Sequence, residues 1–235
     1  MKYPDFDSFK EHKHGFVKWI KELEINSGEI QLHKHFVDFY PTLTKLIMKA
    51  RVLDVNIDNV KHKLLSWTTK NDKICGWLCK YQDDYNKNLL LGESHKTLLH
   101  CIGGIRESFN GPEQSVVNAI VYECFTLNKH FMFIGSRCEI GLGSWQVYYE
   151  DMCLFEDKKP LDLSEFISFA EEANGDRTLY HIKTEGVLLF SHDHNFKFVE
   201  TLQDQPELTL YHIKGITTFT DYVETLAQQW LDWVQ

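Results

Sequence analysis

Along the first fifty residues the apolar positions fall at helical spacing. Phe9, Phe16, Val17, Trp19, Ile20 and Leu23 recur among charged residues over 7–25, which predicts a helix with one apolar face. Asp7 or Ser8 would cap it, and Asn26-Ser27-Gly28 would stop it. From residue 29 to 48 the spacing continues through Ile30, Phe36, Val37, Phe39, Tyr40, Leu43, Leu46 and Ile47. Pro41 has no amide hydrogen and kinks or divides that stretch, giving two helices or one bent one. Residues 52–70 stay open: Val52, Leu53, Val55 and Ile57 alternate as in a strand, while 60–67 fits either type. Further helices are expected at 73–85 and at 93–101, the second running up to Gly103-Gly104.

After Gly111-Pro112 the texture changes. Residues 116–125 and 131–134 read as buried strands, and 144–155 as a strand dense in aromatic and β-branched residues. A helix is expected at 161–173, carrying Phe166, Ile167 and Phe169 and capped by Asp162 or Ser164. Asn174-Gly175-Asp176 is a turn signal. Short strands at 178–182 and 187–191, joined through Lys183-Thr184-Glu185-Gly186, then form a hairpin. One more strand at 209–213 and a helix at 218–234, with Tyr222, Val223, Leu226, Trp230 and Val234 inward, complete the chain. The expected fold class is α+β, with an antiparallel or mixed sheet and helices packed on it. It is expected to divide into a mostly helical N-terminal extension, 1–88, and an α+β domain, 89–235. No internal repeat of about 20–50 residues is present.

The 235 residues are 43% hydrophobic and 14% aromatic. That is enough apolar surface to offset ordering entropy, so disorder and low-complexity architecture are excluded. The net charge is −9 and the pI about 5.7, which argues against nucleic acid as a partner, since phosphate binding needs clustered Lys and Arg. The charge is uneven: residues 1–70 carry +3, residues 71–149 carry −1, and residues 150–235, with 6 Lys+Arg against 17 Asp+Glu, carry −11. Glu171, Glu172, Asp176, Asp193, Glu200, Asp204 and Glu207 are candidates for an acidic face that recognises a basic protein. The alternative is a solvated face kept acidic for solubility. The first residues hold no apolar signal core, and no stretch approaches about 18 consecutive apolar residues. A soluble, cytoplasmic protein with no membrane partner is therefore expected. Cys75, Cys79, Cys101, Cys124, Cys138 and Cys153 are scattered, as core thiols in a reducing compartment are.

Three histidine pairs have i, i+2 spacing: His12/His14, His33/His35 and His192/His194. Such a pair shares one face of a strand but diverges on a helix. Only His192/His194, with Asp193 between them, stands in a strand-like context. A metal-dependent hydrolase built on His192, Asp193 and His194 would need a further ligand from elsewhere; a polar strand end is the simpler reading. Cys75 and Cys79, at i, i+4 on an expected helix, lack the second close-spaced pair that zinc sites use. Gly103-Gly104-Ile105-Arg106 lacks the phosphate-loop Lys and its strand–loop–helix setting, and Gly141-Leu142-Gly143 reads as a hairpin or bulge before a strand. Carboxylate pairs such as Asp83/Asp84, Glu171/Glu172 and Asp204/Glu207 have no spacing that places them across a cleft. No catalytic residue and no cofactor is assigned.

The order of elements in the C-terminal half nevertheless has a precedent. Residues 166–189 contain an apolar entry, Asn174-Gly175-Asp176, a strand, a turn at Gly186 and a second strand. This resembles the core signature of the SMI1/KNR4-like (SUKH) superfamily. Upstream, 93–110 is similar to that family's short helix and Gly-Gly turn, with Gly103 and Gly104 in the matching place. Downstream, 216–226, introduced by Phe219, resembles its closing helix. The resemblance covers about residues 90–235 and leaves 1–88 as an extension. It implies a non-enzymatic protein-binding module; many such domains resemble immunity proteins that neutralise toxins, often nucleases. A basic toxin domain would suit the −11 charge. The resemblance implies structural turn roles for Asn174, Gly175, Asp176, Gly103 and Gly104. A regulatory or scaffold subunit assembling through its N-terminal helices is the remaining alternative.

Overall fold

A computed structural model of the chain describes residues 2–81, 90–112, 132–133, 138–171, 175–192 and 199–235. Helix α1 (Pro4–His12) begins with Pro4 in its first turn, has Asp5 and Asp7 at its positive end and Lys10 and His12 at its negative end, and buries Phe6 and Phe9. It stops at Lys13, and only a single turn, α2 (His14–Val17), follows before strand β1 (Leu23–Ser27). The helix expected over 7–25 is thus two short helices and part of a strand. The change from helix to strand at Leu23 comes from pairing: all five residues of β1 lie antiparallel to residues 53–57 of the next strand. Helices α3 (Lys34–Phe39) and α4 (Pro41–Met48) are separate. Tyr40 between them, at φ −129° and ψ 63°, lies outside the helical region, from which the following proline ring excludes it.

Strands β2 (Arg51–Ile57) and β3 (Val60–Thr68) form a hairpin. Asp58 and Asn59 both take positive φ in its two-residue turn, and Asp58 Oδ1 accepts the amide hydrogens of Lys21 and Glu22. Next comes β4 (Ile74–Lys80), where a helix over 73–85 is expected. Cys75, Trp77 and Cys79 face one side and Gly76 and Leu78 the other, all buried, so neither period shows in the sequence. Packing here is tight: a Cβ on Gly76 would come within 2.3 Å of the Leu65 carbonyl oxygen. Helix α5 (Glu93–Ile102) matches its prediction and ends at Gly103, which has φ 77° and leads into β5 (Gly104–Phe109).

In the second half, β6 (Met132–Phe133) and β7 (Glu139–Ile140) precede a 3₁₀ turn at Gly143–Trp145 and helix α6 (Gln146–Phe155). Then follow β8 (Phe166–Glu171), β9 (Arg177–His181), β10 (Val187–Phe190), β11 (Val199–Thr201), β12 (Leu210–Ile213) and α7 (Phe219–Trp233). The hairpin of β9 and β10, strand β12 and helix α7 agree with the sequence reading. Two expectations are reversed: 144–155 is mostly helix, not strand, and 161–173 contains strand β8, not a helix. In α6 only Tyr149 and Cys153, one helical turn apart, are buried, so its aromatic and β-branched residues do not mark a buried strand. Asp162 Oδ1 accepts the Ser164 amide hydrogen in an Asx turn that feeds a strand instead of capping a helix. Gly141-Leu142-Gly143 correspondingly leads into a helix. The strand expected at 116–125 lies outside the described residues.

The fold is α+β with two antiparallel sheets, ordered β1-β2-β3-β4-β5 and β11-β12-β10-β9-β8-β6, with β7 also on β8. Because β5 closes the first sheet, that sheet draws on residues from both sides of position 88, and the described residues before that position carry four strands besides their helices. Side-chain alternation sets the layers. Leu65, Trp67, Cys75 and Trp77 of the first sheet and Ile167, Phe169, Tyr180 and Leu189 of the second join one core with α3, α4, α5 and α7. The opposite face of the first sheet, with Val55, Leu64, Leu78 and Phe109, packs on Phe6 and Phe9 of α1. The opposite face of the second, with Leu179, Leu188, Phe190 and Leu210, packs on Tyr149 and Cys153 of α6.

Helix α7 ties the sheets together. Trp230, near its end, meets Trp67 and Trp77 with ring centroids 5.7 and 5.0 Å away. Phe219 and Tyr222, near its start, meet Phe169 at 4.8 and 5.0 Å. Thr218 and Asp221 form a reciprocal capping box at its N-terminus. Glu224 reaches to α4, where its carboxylate accepts the amide hydrogens of Thr42 and Leu43 at 2.8 and 3.0 Å.

Candidate functional site

Helix α6 is fixed to the second sheet by one stripe and shows the other to solvent. On the inner side, the Tyr149 hydroxyl accepts the Leu161 amide hydrogen at 2.7 Å and donates to Gln205 Oε1, while Cys153 sits among Leu142, Leu163 and Phe190. Just before the helix, Trp145 stacks on His192 with centroids 4.2 Å apart. Away from the buried stripe, three apolar residues stand largely in solvent: Val147 is 67% exposed, Leu154 80% and Phe155 85%. Glu150 and Asp151 are exposed between them, at helical spacings that put all five on one outward face. Glu156 and Asp157 follow at once, also exposed. The result is an apolar patch with an acidic rim on a helix that is otherwise rigidly seated, a combination that marks interaction surfaces.

The residues proposed for an acidic face are distributed differently. Glu200, on edge strand β11, is exposed and 3.4 Å from Lys214; Asp204 and Glu207 are exposed on the 202–209 connection. Glu171, on β8 toward the other margin of the sheet, lies 3.6 Å from Arg177, which also meets Glu139 at 3.2 Å. Asp176 does not belong to a surface: it is 1% exposed, with Oδ1 3.5 Å from His192 Nδ1. Burial beside the His192 imidazole keeps this carboxylate off the molecular surface. Glu172, Asn174, Asp193 and His194 lie outside the described residues. Of the glycines expected in turns, Gly175 has φ 95°, and a Cβ there would stand 2.7 Å from the Trp145 ring. At Gly103 a Cβ would stand 2.4 Å from the Lys80 carbonyl oxygen, and Gly104 opens β5.

Among the described residues no group of three or more His, Cys, Asp or Glu is arranged to hold a metal ion. A pairing of nucleophilic type does occur inside the core, between α5 and the second sheet. Cys138 Sγ is 4.0 Å from His95 Nε2, and His95 Nδ1 is 3.1 Å from the Tyr180 hydroxyl, which accepts the Gly92 amide hydrogen. Burial pushes the thiol up to about 12 and the imidazole down to about 3. Both are neutral at ordinary pH, so the pair lacks the thiolate that nucleophilic catalysis requires. It satisfies hydrogen bonds in the core. Cys75 and Cys79, on one face of β4 and not on a helix, are buried free thiols, raised by desolvation.

Compared with protein-family models, curated proteins and solved structures, the chain gives no match. No helix among the described residues is long and apolar enough to cross a membrane. Sequence reasoning missed the α6 patch because it read 144–155 as a strand. The signal was available as a helix with apolar residues on both sides, Tyr149 and Cys153 on one and Val147, Leu154 and Phe155 on the other.

Proposed function

We propose that the protein is a non-enzymatic protein-binding module, SMI1/KNR4-like over about residues 90–235, that captures a basic partner domain of the nuclease-toxin type. The observation that carries this reading is the outward face of α6, where Val147, Leu154 and Phe155 stand exposed among Glu150, Asp151, Glu156 and Asp157. The apolar residues supply anchors whose burial contributes affinity, and the surrounding carboxylates, within the −11 segment, steer and select a positively charged surface. The β9–β10 hairpin and closing helix α7 are consistent with the same reading.

The test is inhibition of, and co-purification with, a panel of basic nuclease domains at low and high salt. Complex formation that weakens as salt rises supports the reading, as does loss on Phe155→Ala. Burying a side chain of this size is worth about 1.5–3 kcal/mol, so Kd should rise about 10- to 100-fold. Binding that ignores ionic strength would remove the electrostatic argument, and binding unchanged by Leu154→Glu with Phe155→Glu would remove α6.

A further inference from the structure

We infer that a groove on the first sheet binds a polyhydroxylated small molecule of the saccharide class. The core-facing side of this sheet is apolar over most of its area, through Val52, Leu65, Trp67, Cys75, Trp77 and Cys79. Toward β1 that same side turns polar. Cross-strand rows Glu24–Asn56–Lys61 and Asn26–Asp54–Lys63 run over β1, β2 and β3, and strand alternation puts all six on the side that carries Val52 and Leu65. They floor a groove of about 660 Å³, inside the range of about 300–1,000 Å³ typical of small-molecule sites. His33 and His100, with rings 5.8 Å apart, Tyr81, whose hydroxyl donates to the Cys101 carbonyl at 2.6 Å, and Glu29 and Gln31 are also in its lining. A sheet face that leaves the core pattern only where a concavity begins is built for something polar.

The donor and acceptor inventory selects the ligand. Lys63 Nζ lies 2.6 Å from Asp54 Oδ1, and Asn26 donates to Glu24 Oε1 at 3.1 Å, so part of the charge is matched internally. The carboxylates of Glu24, Glu29 and Asp54 repel a phosphate or other strong anion, and Lys61 and Lys63 repel a polyamine. What remains is a mixture of acceptors, donors and amides that do both, and a hydroxyl is the group that donates and accepts at once. Asn56 Oδ1 is buried without a hydrogen-bond partner among the described residues, and a ligand hydroxyl donating to that amide would offset its desolvation.

Saturation-transfer difference NMR on the full chain, with glucose, galactose, N-acetylglucosamine and ribose as probes, tests the site, with spermidine and inorganic phosphate as competing chemistries. Saturation transfer to at least one sugar is expected, with affinity about tenfold weaker in Asn56→Leu for the one or two hydrogen bonds lost. It should be weakened likewise in Asn26→Leu, which is exposed on edge strand β1 and tests the site even if Asn56→Leu fails to fold. Phe155→Ala should leave it intact. Transfer to none of the sugars, transfer only to spermidine or phosphate, or sugar binding unchanged in Asn26→Leu would overturn the proposal.

Discussion

Replacing Glu224 by alanine should destabilise the whole chain, although the residue belongs to neither sheet. Helix α4 begins at Pro41, and no side chain from Tyr40 caps it, so the amide hydrogens of Thr42 and Leu43 are left without intrahelical acceptors. Glu224 of α7, 182 residues away in sequence, accepts both at 2.8 and 3.0 Å and puts a negative charge at the positive end of the helix. Losing a cap costs about 0.5–2 kcal/mol, and hydrogen bonds to a charged group are worth about 1.5–3 kcal/mol. The two figures describe overlapping effects, so about 2 kcal/mol is expected for Glu224→Ala. Glu224→Gln, which keeps an acceptor oxygen but not the charge, should lose about half of that. Urea unfolding reads this directly: with a slope of about 2–3 kcal/mol/M, the Glu224→Ala midpoint should fall by about 0.7–1 M at unchanged slope. If both variants unfold within about 0.5 kcal/mol of the parent, the carboxylate is solvated and the link between α4 and α7 is apolar packing alone.

Two further outcomes follow from buried groups. Gly175→Ala should cost about 1–3 kcal/mol, because the new Cβ meets the Trp145 ring at a positive φ; thermal melts check the loss, and a displaced Trp145 should alter tryptophan emission. Desolvation, ahead of the nearby positive charge of Arg106, lowers His62 to about 4, and burial lowers His95 to about 3, against about 6.5 in the unfolded chain. Below about pH 6.5 the unfolded state therefore binds more protons than the folded one, so stability is full above that pH and declines as it drops toward about 4. Urea midpoints across this window should fall, and His62→Gln should flatten part of the slope; a midpoint that rises on acidification would show that these imidazoles are not held neutral.

The last two elements of the chain were legible because their patterns are one-sided. In α7, Tyr222, Val223, Leu226 and Trp230 recur at helical spacing and are all buried. In the β9–β10 hairpin, Lys183-Thr184-Glu185-Gly186 separates two apolar runs at the observed turn. The errors fall where one-sidedness fails. Strand β4 is covered on both faces, by α1 and by the central helices, so Cys75 through Cys79 show no period. Helix α6 is apolar on both faces for opposite reasons, one buried and one exposed, and reads as a strand. Strand β8 carries Phe166 toward the α6 cluster and Ile167 and Phe169 toward the central core, which a helical template also accommodates.

The candidate sites divide along the same line. Acidity of the last third, the Gly175 turn and the buried character of Cys75, Cys79, Cys101, Cys138 and Cys153 were available from residue types and their order, Cys124 lying outside the described residues. That Asp176 is buried beside His192, that Leu154 and Phe155 face solvent, and that Glu24, Asn56 and Lys61 stand side by side depends on packing between distant parts of the chain.

By itself, the sequence determined the α+β class, the closing helix and the distribution of charge, because these follow from local periodicity and from counts that no folding event alters. Which face of each element meets the core was decided only by the tertiary structure. A residue's burial is set by what packs over it, and in five layers most elements have neighbours on two sides.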